Sequence, residues 1–202
     1  MLKRQKRILA LFFTSFFIMI GMAAGRSFAD EMVTWGPQEA NIEGSIKYTV
    51  IGQYNAHFNN FKGRVVLDAN SRLIKSVYLR IEAGSIKSNH PWCDKLARSR
   101  RLLYTAKYPK IIFRSDKIMH DEKGYKVKGI LEMHGIKRRM FFPFESKISI
   151  DQITHRKILD IRGSWNINRK DFNIIWNKYL DRGGVVVSDV FTVNWGIKTY
   201  LK

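Results

Sequence analysis

The chain has 202 residues and a formal net charge of +19 at pH 7, from 36 Lys and Arg against 17 Asp and Glu. This length is enough for one domain with its own hydrophobic core. The single cysteine, Cys93, excludes an intrachain disulfide, so the core alone must stabilise the fold. We expect Cys93 to be either an unpaired thiol or, in an oxidising compartment, a partner in a disulfide to a second chain.

Residues 1–29 have the composition of a secretory signal peptide. Four basic residues lie within the first seven positions, an uncharged apolar run follows over residues 8–24, and Ser27-Phe28-Ala29 offers small residues where signal peptidases cleave. The apolar run has about 17 residues, which is short for a membrane-spanning helix. We therefore expect cleavage before Asp30 and export; an uncleaved membrane anchor is the alternative.

Cleavage would remove five of the 36 basic residues and no acidic residue, leaving 31 against 17 and a net charge of +14. A charge of this size favours anionic partners. For an exported protein, anionic membrane surfaces are more accessible than nucleic acid, so we expect no nucleic-acid partner. A general basic bias of the source proteome would explain the charge equally well.

The predicted mature domain, residues 30–202, alternates between apolar and polar side chains over most of its length. Strict alternation indicates antiparallel strands with one enclosed apolar face. About eight such strands in one domain predict a barrel or a sandwich. The alternating segments are 46–50, 61–67, 77–82, 111–114, 127–133, 140–144, 159–167 and 191–197.

The stretch from Lys107 to Gly135 predicts a β-hairpin. Pro109 has no amide donor, so it suits the start of a strand better than its middle. The polar sequence Asp121-Glu122-Lys123-Gly124 is typical of a turn, and residues 127–133 then place alternate apolar side chains on one face.

A short helix is predicted over about 92–104, where the alternation stops. Apolar residues such as Leu96 and Leu102 are interspersed with basic residues such as Lys95 and Arg101, a spacing typical of a helix with one apolar and one basic side. The basic side would either be solvated or contact an anionic membrane.

No motif in the chain points to catalysis, to a metal or to a cofactor. The five histidines form no paired ligand motif, and the chain lacks a nucleophile elbow, a phosphate-binding loop and a dinucleotide fingerprint. We therefore expect no enzymatic activity.

Several motifs, in their order and spacing, resemble the YceI-like family of periplasmic lipid-binding proteins. Residues 108–115 resemble its Tyr-Pro-x-Ile-x-Phe-x-Ser signature, and Ile167-Asn168-Arg169-Lys170-Asp171-Phe172 matches its Ile-Asn-Arg-x-Asp-Phe motif. The helical segment departs from the family pattern by having fewer acidic groups and more cations, and Asn173 replaces a glycine.

The resemblance implies an all-β fold, an eight-stranded antiparallel lipocalin-like β-barrel with a short helical segment. It also implies an elongated apolar channel that binds a polyisoprenoid, quinone or fatty-acyl chain. Dimers occur in this family, so a homodimer is a further expectation. The alternative function is a basic surface-interaction protein with a filled barrel that binds anionic membrane or envelope components.

The candidate ligand-binding residues are mostly aromatic side chains that would point into the barrel, where they either line a channel or fill the core. Arg169 would either bind a phosphate at the channel mouth or pair with Asp171 or Asp160. Trp176 would be a flap over the mouth or part of a packed loop. The candidates are Tyr48, Phe61, Phe113, Phe142, Phe144, Trp165, Arg169, Trp176 and Trp195.

Overall fold

The structure is a computed structural model that describes residues 29–48, 52–177 and 187–201, without the side chain of Tyr48. The predicted signal peptide lies outside these ranges up to residue 28. None of the helices in these ranges is long and apolar enough to cross a membrane.

The described residues form one antiparallel sheet, one α-helix and two short 3₁₀ helices. The 3₁₀ helices span Ala83–Ser85 and Arg169–Phe172, and helix α1 spans Pro91–Arg98. The strands are β1 (Glu31–Trp35), β2 (Ala40–Tyr48), β3 (Gly52–Phe58), β4 (Phe61–Leu67), β5 (Ile74–Glu82), β6 (Ile86–Lys87), β7 (Lys110–Asp121), β8 (Gly124–Met133), β9 (Ile136–Ile150), β10 (Lys157–Asn168) and β11 (Val187–Tyr200).

The described part of the chain has eleven strands, where the sequence predicts eight. Their order in the sheet is β1-β4-β5-β7-β8-β9-β10-β11-β2-β3-β6. The prediction of eight was wrong in number because three long strands are each interrupted by a bend. The interruptions lie at residues 36–39 between β1 and β2, at residues 59–60 between β3 and β4, and at the 3₁₀ helix Ala83–Ser85 between β5 and β6.

The sheet curls round on itself, because the last strand pairs with one of the first. In the pairing of β11 with β2, Ile197 faces Ala40 and Phe191 faces Ile46. Strand β2 pairs with β3, which continues after two residues into β4, and β4 pairs with β5. The predicted class, an antiparallel lipocalin-like barrel, is confirmed.

Alternate residues of the strands face one shared hydrophobic core. In β8, every second residue from Tyr125 to Met133 is buried, and the residues that alternate with them are partly exposed. The core therefore occupies the inside of the curled sheet, as the alternation of the sequence predicts.

The hairpin predicted between Lys107 and Gly135 is confirmed by strands β7 and β8. Phe113 faces Leu131 in their register, and Asp121 faces Gly124 at the turn. Gly124 has a φ of +105°, a backbone conformation that a glycine adopts without strain. Pro109 lies immediately before β7, as expected for a residue without an amide donor.

The helix is shorter than the predicted segment 92–104, because α1 ends at Arg98. Ser99 has extended backbone angles, and its hydroxyl donates a hydrogen bond to the Leu96 carbonyl. The chain continues in turns, with Tyr104 in the left-handed region at φ 45°. Leu102 and Leu103 nevertheless pack against the core, which explains why the apolar pattern extends beyond the helix.

Three glycines on the inner face are covered by aromatic rings. A Cβ added to Gly63 would lie 1.9 Å from Trp35, one added to Gly163 would lie 2.5 Å from Trp195, and one added to Gly129 would lie 2.7 Å from the Phe113 ring. A Cβ added to Gly44 would meet no atom within 4 Å. The inner face is thus filled over the first three glycines and open over Gly44.

We expect the substitution Gly163→Ala to lower the free energy of unfolding by about 1–3 kcal/mol, because the new methyl group overlaps the packed ring of Trp195. The matched control Gly44→Ala should be neutral or stabilising by up to about 1 kcal/mol, since alanine reduces the entropy of the unfolded chain. Urea denaturation of both variants measures the difference. Equal losses of stability would show that the ring over Gly163 does not constrain the fold.

Candidate functional site

The interior of the curled sheet contains a cavity of about 220 Å³. Its wall is built from residues of nearly every strand, together with α1 and the turns that follow it at one end of the strands. Cys93, Ala97, Leu102 and Leu103 lie on this part of the wall. Nearly every other wall residue is also apolar, so the cavity can offer a ligand apolar contact but few hydrogen bonds.

The cavity exists because small residues meet on the inner face of β2, β3 and β11. Gly44 faces Ala56 of β3 on one side and Val193 of β11 on the other, and all three line the cavity. Since a Cβ at Gly44 would have no neighbour within 4 Å, the open space begins directly above this residue. Sequence reasoning missed Gly44, because a glycine in an alternating strand does not reveal what lies opposite it.

Five of the predicted site residues form one aromatic cluster on the cavity wall. Phe142 stacks on Trp165 with ring centroids 4.2 Å apart, and Phe113 lies 5.4 Å from Phe142. Trp195 approaches Phe142 at 6.3 Å and Phe144 at 6.1 Å. All five rings line the cavity. Their contact with a ligand stays a prediction.

The remaining aromatic candidates lie elsewhere. Phe61 is fully buried but away from the cavity wall, with its ring packed edge-on against Trp35 at 6.0 Å. Trp176 is half-buried, also off the wall, and Arg101 lies 5.8 Å above its ring. The side chain of Tyr48 is outside the described part of the structure. The binding roles of these three residues stay predictions.

The contacts of Arg169 indicate that it stabilises the fold. It is 2% exposed, and its five N–H groups are all directed at protein acceptors within hydrogen-bonding distance. Asp189, which lies 3.2 Å from the guanidinium, takes the place of the expected partners Asp171 and Asp160. The acceptors are the carbonyl oxygens of Ile174, Trp176, Val187 and Ser188 and the Asp189 carboxylate.

This arrangement joins the segment after the second 3₁₀ helix to the start of β11. Although Arg169 borders the cavity, its hydrogen-bonding capacity is used by the protein. Burial lowers the pKa of the guanidinium, and the Asp189 carboxylate opposes that effect. The geometry therefore favours a structural role over a phosphate anchor.

A buried carboxylate lies beside the cavity at its helix end. Asp94 of α1 is 5% exposed and accepts hydrogen bonds from the Tyr54 hydroxyl at 2.9 Å and the Ser88 hydroxyl at 2.6 Å. Burial alone would raise the pKa of Asp94, but the bonds from Ser88 and Tyr54 outweigh it and lower the pKa. Burial is also the main cause of the raised pKa of Tyr54, which lies on the cavity wall.

The thiol of Cys93 is half-buried on the cavity wall. Burial raises its pKa, and the neighbouring charge of Asp94 adds to the effect. No group of three or more metal-ligating side chains occurs within residues 29–48, 52–177 and 187–201.

A family model described as YceI-like domain matches residues 34–199. The chain belongs to the YceI-like family. A UPF0312 protein of Yersinia enterocolitica is 30% identical over 141 residues, which cover 68% of this chain and 71% of the relative. This family assignment agrees with the motifs at residues 108–115 and 167–172.

Solved structures show the same fold. A Campylobacter jejuni YCEI protein is similar with a TM-score of 0.65 and 18% identity, over 78% of this chain and 90% of the other. A polyisoprenoid binding domain from Saccharophagus degradans, implicated in plant cell wall breakdown, gives a TM-score of 0.59 and 12% identity, over 86% of this chain and 100% of that domain.

We expect Arg169→Lys to lower the free energy of unfolding by about 3 kcal/mol, because a lysine cannot reproduce the planar fork and leaves buried carbonyl groups without donors. The control is Lys170→Met. Lys170 also pairs with Asp189, at 2.6 Å, but its side chain is half exposed, so its loss should cost less than about 1 kcal/mol. Chemical denaturation compares the two, and similar losses would contradict the structural role of Arg169.

The lowered pKa of Asp94 predicts a dependence of stability on pH. A carboxylate with a lower pKa in the folded state stabilises the fold above its unfolded pKa of about 4, and this stabilisation is lost as the pH falls further. The variant Asp94→Asn should lack this part of the acid-induced loss. Urea titrations between pH 7 and pH 3 measure the free energy of unfolding of the wild-type protein and the variant. Parallel pH dependences would refute the stabilising role of the Asp94 carboxylate.

Proposed function

We propose that the protein is an exported, periplasmic carrier that binds a long-chain isoprenoid, or a similar amphipathic lipid, in its cavity. The observation that carries this proposal is the apolar cavity inside the sheet, with the aromatic cluster on its wall. An ordinary filled core would place a side chain over Gly44, and none lies there.

The affinity of such a site would come from the chain of the ligand. Each buried methylene contributes about 0.8 kcal/mol, so a segment of several methylenes binds strongly without polar contacts. The cavity volume of about 220 Å³ is below the roughly 300–1,000 Å³ of pockets for drug-sized ligands. It suits a slender chain better than a bulky ring system.

The wall also favours a ligand whose buried part is uncharged. Arg169 borders the cavity, but its guanidinium is held by carbonyl groups and Asp189, and the nearby Asp94 would repel an anion. A phosphate head would therefore remain at the rim, whereas an isoprenoid tail, a quinone tail or a fatty-acyl chain fits inside. No cofactor other than such a ligand is implied.

The comparisons support the same class of ligand. Membership of the YceI-like family and the fold shared with a polyisoprenoid binding domain make an isoprenoid the first candidate. Export rests on the composition of residues 1–29. The open cavity weighs against the alternative of a surface-interaction protein with a filled barrel.

Filling the cavity should abolish lipid binding without disrupting the fold. In Gly44→Leu, the new side chain enters open space and occupies the volume that a lipid chain would use. We expect at least a tenfold lower loaded fraction after incubation with polyprenyl phosphate or ubiquinone, measured by native mass spectrometry and organic extraction.

The matched control is Glu43→Leu, which adds the same side chain to the adjacent, exposed position on the outside of β2. It should load as well as the wild-type protein. The proposal is refuted if the wild-type protein purifies without lipid and takes up neither probe. Full loading of the Gly44→Leu variant would also refute it.

A further inference from the structure

The surface that covers the helix end of the cavity combines exposed apolar and basic side chains. Trp92 of α1 is 72% exposed, and Ile175 is 66% exposed. Lys95, one helical turn after Trp92, is exposed, as are Arg100 and Arg101 in the turns that follow. We call these five residues the docking face.

The two segments that form the docking face are in contact. Arg101, which follows α1, lies 5.8 Å above the ring of Trp176, the neighbour of Ile175. This contact brings the basic turn after α1 beside the segment that exposes Ile175. The apolar and basic groups therefore belong to one region of the surface.

The cations of the docking face are available to an external partner. Lys95, Arg100 and Arg101 form no ion pair with any acidic side chain in the part of the chain that the structure describes. Asp94, the acidic residue beside them, is buried and bonded to Tyr54 and Ser88. Arg98 is different, because its guanidinium donates to the Ile86 carbonyl and holds α1 on the sheet.

The opposite side of the same helix lines the cavity. Cys93 and Ala97 of α1 lie on the cavity wall, as do Leu102 and Leu103 in the turns that carry Arg100 and Arg101. A surface bound at the docking face would therefore be separated from the cavity by a single layer of protein. A lipid taken from that surface would need to travel only a short distance.

We propose that the docking face binds the surface of an anionic phospholipid bilayer, from which the cavity is loaded. The loading of the cavity from the bilayer rests on the proposed carrier function. The binding of the bilayer rests only on the exposed residues of the docking face. Lys and Arg complement anionic headgroups, and an exposed Trp is suited to the boundary between headgroups and acyl chains. The combination is typical of proteins that lie on a membrane.

Co-sedimentation with vesicles tests the proposal. The protein should bind vesicles of 30% phosphatidylglycerol in phosphatidylcholine and not pure phosphatidylcholine, with affinity that falls as salt rises. Each cation near an anionic surface strengthens binding by about fivefold. The triple variant Lys95→Ser, Arg100→Ser, Arg101→Ser should therefore bind about a hundredfold more weakly.

The matched control removes the same charge from the opposite end of the sheet, with Lys123→Ser, Lys147→Ser and Lys157→Ser, all at exposed positions. It should retain binding to within a few fold. Trp92→Ser should weaken binding about tenfold or more at high salt, where the charges are screened and the apolar contact dominates.

Equal losses in the two triple variants would overturn the proposal, since they would assign binding to net charge rather than to this face. It would also be overturned by a wild-type protein that binds lipopolysaccharide or an acidic protein but no phospholipid vesicle. Lipid loading by native mass spectrometry separates the two proposals. A wild-type protein that takes up lipid but binds no anionic vesicle refutes only the docking face. A wild-type protein that binds the vesicles but takes up no lipid refutes only the carrier function.

Discussion

The pairing of β11 with β2 is the constraint on which the interior depends. It joins the last strand to the second strand and leaves the inner faces of the strands around one shared interior. Backbone hydrogen bonds fix the positions of the strands. The size of each inward side chain therefore decides whether the space above that position is filled or empty. Aromatic rings fill the space over Gly63, Gly129 and Gly163, and the space over Gly44 stays open.

Much of the sheet could be predicted from the sequence, because apolar and polar side chains alternate along a strand that has one buried face. The aromatic cluster follows from the same repeat, since inward residues of adjacent strands must meet. The bends between strands could not be predicted, because a bend leaves the alternation on either side intact. The end of α1 at Arg98 was missed for a related reason: Leu102 and Leu103 pack against the core from turns rather than from a helix.

The polar contacts of the site could not be predicted from the sequence. Tyr54 and Asp94 are 40 positions apart, and only the folded sheet brings the hydroxyl to the carboxylate. Arg169 shows the same limit, because proximity in the sequence favours Asp171 whereas the partner is Asp189, 20 positions away. Such long-range polar contacts are selected by the packing of strands and loops, which the periodicity of the sequence does not encode.

The location of Cys93 has a consequence for the redox chemistry of the chain. A thiol attacks a disulfide, or is oxidised to a sulfenic acid, mainly as the thiolate. Burial and the charge of Asp94 disfavour that form, and Cys93 is half-buried on the wall of an apolar cavity. If the protein is exported to an oxidising compartment, as proposed, an exposed lone cysteine would be a site for cross-linking to other proteins. Under the proposed carrier function, a lipid chain in the cavity would cover the half-buried thiol of Cys93 and protect it further.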